Sequence, residues 1–268
     1  MVDTHCHLDT TAAQADRGDP LPVDVALEAA AAVGVTRVIQ IGCDLRSARW
    51  SVDFVQARDD VWAAVALHPN DAPRIQQRHG RAALEEAWAE IEELARRPRV
   101  QAVGETGMDF FRTPAEGREI QEESFRRHIQ IAKEVGKTLV IHDRDSHEDV
   151  LRILQDEGPP DRVVFHCFSG DAEMAAFVAD RGWYLSFAGV ITFASSTGLR
   201  EALAVVPLDR ILVETDAPYL TPVPYRGQVN ASYLIPITAR TMAEVRGIDE
   251  VTMATALWDN AARAFALP

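Results

Sequence analysis

The sequence predicts an α/β protein of the (β/α)8 TIM-barrel class, one domain over residues 1–268. Three observations predict it. Eight short apolar runs rich in Val and Ile recur along the chain, helix-like segments separate them, and ligand-type side chains sit at the C-terminal ends of most runs. Short runs without polar alternation are how strands buried on both faces read. Their alternation with helices argues for a parallel sheet, and 268 residues suit an α/β barrel in one piece. A doubly wound open sheet is the alternative, but no glycine-rich turn follows the first run.

In chain order the expected strands are residues 1–5, 37–41, 61–67, 100–104, 138–141, 162–165, 183–187 and 210–213. The expected helices are 24–33, which is Ala-rich and stops at Gly34, and 81–97, which carries apolar residues at helical spacing and stops before Pro98. Then come 116–135, ending at Gly136, the shorter 147–155 and 172–180, and a closing pair at 233–245 and 249–265.

Composition bounds the function. With 47% hydrophobic and 25% charged residues the chain reads as soluble and globular. No apolar run is long enough to span a bilayer, and no basic-then-apolar leader is read at the start, so a cytoplasmic protein without membrane association is expected. Cys6, Cys43 and Cys167 lack the spacing of a disulfide framework or zinc knuckle, which fits a reducing compartment. A net charge of −14 excludes holding nucleic acid by overall field; any such substrate must be held locally, by a few cations or by bound metal.

The chemistry lies at the strand ends. The first ends in His5-Cys6-His7, the third in His68-Pro69-Asn70, the fourth in Glu105, the fifth in His142, the sixth in His166 and the eighth in Glu214-Thr215-Asp216. Of eight histidines, five occupy these ends, while His79, His128 and His147 fall in or beside helices and read as surface residues. Strand alternation puts His5 and His7 on one face and turns Cys6 away. A barrel gathers strand C-termini at one mouth. His5, His7, Glu105, His142, His166 and Asp216 are too many donors for one tetrahedral ion and suit two divalent cations. The expected division is His5, His7 and Asp216 on one ion, His142 and His166 on the other, and Glu105 as the bridge. Zn, Mn, Fe or Ni suits four imidazoles better than Mg, and the choice stays open. Taken singly each residue has an ordinary structural explanation: a hydrogen-bonded core histidine, or a carboxylate capping a helix. The joint pattern is what points to metal, with Asp109 and Glu214 as supporting carboxylates.

At these residues the sequence resembles the TatD family of metal-dependent deoxyribonucleases, within the amidohydrolase-like metallohydrolases. The resemblance rests on DTHCHLD at 3–9, HP at 68–69, GETGMD at 104–109, IHDRDS at 141–146, HCFSG at 166–170, ETDAPYL at 214–220, and PYRG at 224–227 with Asn230. It implies a TIM barrel, two divalent metals on the same six residues, and hydrolysis of DNA phosphodiesters, often as a 3′→5′ exonuclease on single strands. The chain departs from the family where Ala231-Ser232 follow Asn230 in place of Glu-Pro, and where Met108 and Phe110 replace the frequent Leu and Tyr.

The expected mechanism uses a metal-activated hydroxide, with Asp216 taking the proton of the attacking water and Glu105 completing the catalytic set. His68 is placed to hydrogen-bond the phosphate, Arg144 and Arg226 are the best loop cations for it, and Phe110, Phe111 and Tyr219 are candidates to stack on bases. DNA is the expected substrate of a monomer with no obligate protein partner. Two rivals remain: a hydrolase of another ester or amide (a small-molecule phosphoester or lactone) on the same site, and a non-catalytic binding barrel. The complete ligand set disfavours the second.

Overall fold

The computed structural model describes residues 1–13 and 21–268. Eight parallel strands follow one another in sequence order, β1 to β8, with helices between them, the (β/α)8 barrel class expected. The chain packs as two compact units, residues 1–40 with 167–268, and residues 41–166.

The first unit contains β1 (Val2–Cys6), α1 (Leu8–Ala13), α2 (Val23–Ala32) and the start of β2 (Arg37–Gly42). Val2 and Asp3 of β1 pair with Arg37 and Val38 of β2. The second unit holds α3 (Leu45–Val55), β3 (Val61–Val65), α4 (Asp71–His79), α5 (Arg81–Ala95), β4 (Val100–Asp109), α6 (Arg118–Val135), β5 (Thr138–Arg144), α7 (His147–Glu157) and β6 (Val163–Phe165). The first unit then resumes with α8 (Ala172–Asp180), β7 (Tyr184–Phe187), α9 (Thr197–Val205), β8 (Ile211–Val213), α10 (Ile235–Arg246) and α11 (Glu250–Phe265).

Local chemistry explains the helix ends. Asp171 and Asp249 accept the third backbone N–H of α8 and α11, and Asp44 with Ser47 forms a reciprocal capping box on α3. Gly136 and Gly247 close α6 and α10 in the left-handed conformation. The buried stripe of α6 (Gln121, Ser124, Phe125, His128, Ile129, Ala132) repeats at three- and four-residue steps.

The sequence missed four helices: α1, α3, α4 and α9. The buried face of α3 mixes Ser47 and Ser51 with Ala48, Val52 and Val55, which dilutes its apolar stripe, and α4 buries only Ala72. Strands β4 and β5 run beyond their expected ends, through Glu105 and His142 to Asp109 and Arg144. The apolar runs read from the sequence stop at Gly104 and Ile141. In the fold, a Cβ on Gly107 would lie 2.1 Å from the His142 carbonyl oxygen, so glycine is what lets the two strands approach. His128, expected at the surface, is fully buried. Its Nε2 accepts from the Leu67 N–H at 3.1 Å, and its Nδ1 lies 2.6 Å from the Ser124 carbonyl oxygen. Those two partners fix the neutral Nδ1–H tautomer, and burial lowers its pKa to about 4. Among the described residues, no helix is long and apolar enough to cross a membrane.

Candidate metal centre

In the first unit, β1 and the residue that follows it deliver two imidazoles, and the segment after β8 delivers a carboxylate. Backbone bonds join them: Asp216 N–H donates to His5 O at 2.9 Å, His7 N–H to Ala217 O at 2.8 Å, and Cys6 and Ala217 form a parallel bridge. The result is a cluster of His5, His7 and Asp216. The Asp216 Oδ1 atom is 3.7 Å from His5 Nε2 and 3.5 Å from His7 Nε2. These are poor hydrogen-bond lengths. They approach the roughly 3.4 Å donor–donor edge of a tetrahedron with metal–ligand bonds near 2.1 Å. The donor set, two imidazoles and one carboxylate, therefore fits a divalent cation.

Asp216 adopts φ +55, the left-handed region, and its neighbours are tied down. Asp3, fully buried, accepts the Thr215 N–H at 3.0 Å and the Thr215 hydroxyl at 2.6 Å. Asn230 Nδ2 donates to the carbonyls of Thr215 and Tyr219. Burial pushes the Asp3 carboxyl up to about 6, against the hydrogen bonds it accepts from Thr215. Asn230 also accepts the Ala231 N–H, so the unusual Ala231-Ser232 pair leaves its clamp intact. Cys6 turns away as alternation predicts, its thiol toward the Ile39 carbonyl. Glu214, fully buried, accepts the Cys167 N–H at 2.7 Å, directly beside His166 in sequence.

In the second unit, the pairing of Gly107 with His142 across β4 and β5 sets Glu105 beside His142, and His166 N–H donates to Ile141 O. The Glu105 Oε2 atom lies 2.8 Å from His166 Nε2 and 3.1 Å from His142 Nδ1, and those two nitrogens are 3.2 Å apart. The remaining His142 nitrogen, Nε2, faces Asp109 Oδ2 at 3.4 Å, and Asp109 is held by Asn70 Nδ2 and the Arg112 N–H. A histidine with a carboxylate behind it directs its other lone pair forward, the usual support of a metal ligand. Burial raises the Glu105 carboxyl, but His166 and the His142 hydrogen bond outweigh it and hold the group well below its ordinary range. Burial disfavours the His142 cation, but Asp109 and Glu105 outweigh that and raise its pKa.

His68 joins the same unit with its Nε2 3.9 Å from Glu105 Oε2. Position alone makes it a donor candidate alongside Glu105 and His142. Its hydrogen bonding argues otherwise. Asn70 N–H donates to His68 Nδ1 at 3.0 Å, so the neutral ring carries its proton on Nε2. Burial, with His142 nearby and Glu105 opposing, lowers the His68 pKa to about 3, so the ring is neutral near pH 7. It presents an N–H, suited to an anion.

The expected substrate cations lie over aromatic rings: Arg144 is 3.9 Å from the Phe111 centroid and Arg226 is 4.2 Å from that of Phe193. Phe111 is 63% exposed and Tyr219 46%, whereas Phe110 carries Arg118 on its face at 4.0 Å. Sequence reading missed Asp3, Asn70 and the buried role of Asn230. The available signal for Asp3 was an acidic residue inside an apolar strand, which needs partners wherever it is buried.

Residues 2–266 match the family model for TatD related DNase. A metal-dependent hydrolase named TatD from Mycobacterium tuberculosis, itself described as uncharacterized, is 45% identical over 100% of this chain and 98% of its own length. The uncharacterized metal-dependent hydrolase YcfH of Escherichia coli K12 is 38% identical over 99% of this chain and 95% of its own. Among solved structures, the TatD homologue YjjV of Escherichia coli K12 superposes with a TM-score of 0.88 at 25% identity, covering 100% of this chain and 98% of that one.

Proposed function

The chain belongs to the family of TatD related DNases and is a metal-dependent hydrolase, and on that premise we propose that it cleaves phosphodiester bonds of single-stranded DNA, as a 3′→5′ exonuclease, with two divalent cations. The observation that carries the reading is the presence of a separate donor cluster in each unit: His5, His7 and Asp216 in one, Glu105, His142 and His166 in the other. When bound, such ions supply Lewis acidity and a nucleophile at neutral pH; zinc, manganese, iron and nickel suit the imidazoles best.

The protein's own groups do the rest. His68 Nε2–H donates to a non-bridging phosphate oxygen, a role its tautomer supports. Asp216 accepts the proton of the attacking water and passes it to the leaving oxygen. Asp109 keeps His142 in its ligating orientation. Arg144 and Arg226 neutralise phosphates along the strand, and Phe111 and Tyr219 offer faces to bases. Holding substrate through these local groups reconciles DNA binding with a net charge of −14. The reading takes the working form to be a cytoplasmic monomer.

The test is metal analysis of protein purified without chelator, paired with hydrolysis of a labelled single strand. Expected are two ions per chain and stepwise shortening from the 3′ end, stopped by chelator. Turnover of lactones or small phosphoesters with DNA left intact would instead assign the site to another ester.

A further inference from the structure

Strand β4 outlasts its neighbour β3. The last β3–β4 pair is Val65 with Val103, yet β4 continues to Asp109. On its other side β4 stays paired with β5, with Asp109 opposite Arg144 and the Phe110 N–H donating to Arg144 O. Successive N–H groups of a strand point to opposite sides, so the Asp109 N–H faces the edge that β3 leaves open. A buried peptide group there needs a partner. Gln121 of α6, fully buried, supplies it: its Oε1 accepts the Asp109 N–H at 3.2 Å, and its Nε2 donates to the Asp109 carbonyl oxygen at 3.2 Å. The Thr113 N–H adds a bond to that carbonyl at 3.3 Å. A glutamine side chain carries the donor and acceptor of a peptide group, so it can stand where the next strand would have been. The same Nε2 lies 3.5 Å from Asn70 Oδ1, which the Thr113 hydroxyl also meets at 2.7 Å. Donors on that oxygen leave Asn70 Nδ2 turned to the Asp109 carboxylate, at 3.0 Å.

We infer that Gln121 is a positioning residue for the ion of the Glu105 cluster: by pinning both peptide groups of Asp109 it holds that carboxylate behind His142. The inference rests on the two-ion reading above and extends it to a helix residue that touches neither ion nor substrate. Asp109 Oδ2 faces His142 Nε2 at 3.4 Å, so a shift of the Asp109 backbone carries directly to the ring. The first cluster, His5, His7 and Asp216, has no contact with this network, and its affinity is the internal control.

The test is titration of metal-free protein with zinc against a competing chelator, which reads the two affinities separately; His166→Ala identifies the one that belongs to the Glu105 cluster. Gln121→Met, of similar length and without polar atoms, should weaken that ion about tenfold, the lower end of the effect of removing a ligand's support, and leave the other ion within twofold of wild type. Ile129→Ala, further along the same buried stripe of α6, loosens the helix without touching Asp109 and should leave both affinities unchanged. In an Asp109→Asn background, adding Gln121→Met should cost less than about twofold more, because the carboxylate it positions is gone. Gln121→Glu, which keeps the acceptor and loses the donor, gives the same comparison if the methionine variant does not fold, and should weaken the same ion. Wild-type affinity in Gln121→Met or Gln121→Glu, an equal loss in Ile129→Ala, or full additivity with Asp109→Asn overturns the inference while the two-ion reading stands. If wild-type protein binds no ion that His166→Ala removes, the two-ion reading fails and this inference fails with it.

Discussion

Replacing His128 by leucine tests whether a neutral, buried imidazole supports the end of β3. The ring accepts the Leu67 N–H, one residue before His68, and sits 2.6 Å from the Ser124 carbonyl oxygen. Leucine fills similar space and leaves the Leu67 N–H without an acceptor, which costs about 1–3 kcal/mol near pH 7.5. The wild-type ring has a second signature. Its folded pKa of about 4 lies below the unfolded value of 6.5, so the fold favours the neutral form. That contribution is complete above the unfolded pKa and is lost as pH falls through the window between the two. From about pH 7.5 to pH 5 the linkage relation gives a loss of roughly 2 kcal/mol from this group alone. His128→Leu lacks it, so the stability gap between the two proteins should close, or reverse, over that interval. Urea denaturation of both proteins, metal-free, at the two pH values reads the double difference and cancels every other titrating group. A gap that stays constant between the two conditions refutes a neutral His128 held by these partners.

Other predictions follow from the two clusters. Asp3→Ala strips acceptors from the Thr215 N–H and hydroxyl in a fully buried place. It should cost about 2–4 kcal/mol in denaturant melts and weaken divalent-ion binding about 10–100-fold by calorimetry. Gly107→Ala forces a Cβ against the His142 carbonyl at a φ of +136, and is expected to give protein that is insoluble or does not take up its full metal complement. Exhaustive chelation should abolish hydrolysis and lower the Tm, and both should return on adding zinc or manganese.

Much of this was legible in the sequence because strand ends are where polar residues interrupt apolar runs. His5, His7, Glu105, His142, His166 and Asp216 all announced themselves that way. The fold class followed from the same runs, since buried parallel strands need no periodicity to be seen. What escaped had a different cause. The buried face of α3 interleaves Ser47 and Ser51 with Ala48, Val52 and Val55, and α4 buries only Ala72, so packing accepts faces whose hydropathy signal is weak. His128 lay on a helix otherwise rich in charge, and only the tertiary partner Leu67 N–H explains its burial. Asp3 and Asn70 act through backbone and carboxylate partners remote in sequence, Thr215 and Asp109, so no local pattern could reveal them. The tautomer of His68 depends on the Asn70 N–H, a geometric fact about one turn of chain.

The backbone twist at position 216 sets selection for durability against selection for chemistry. A glycine there would relax a conformation that ordinary L-residues resist by roughly 1 kcal/mol. Asp216→Gly should therefore produce a molecule that, stripped of ions, resists heat at least as well as its parent and yet turns over nothing. Random drift filtered only for thermal endurance would erase this aspartate early, so its persistence in a laboratory lineage would report on catalytic demand alone.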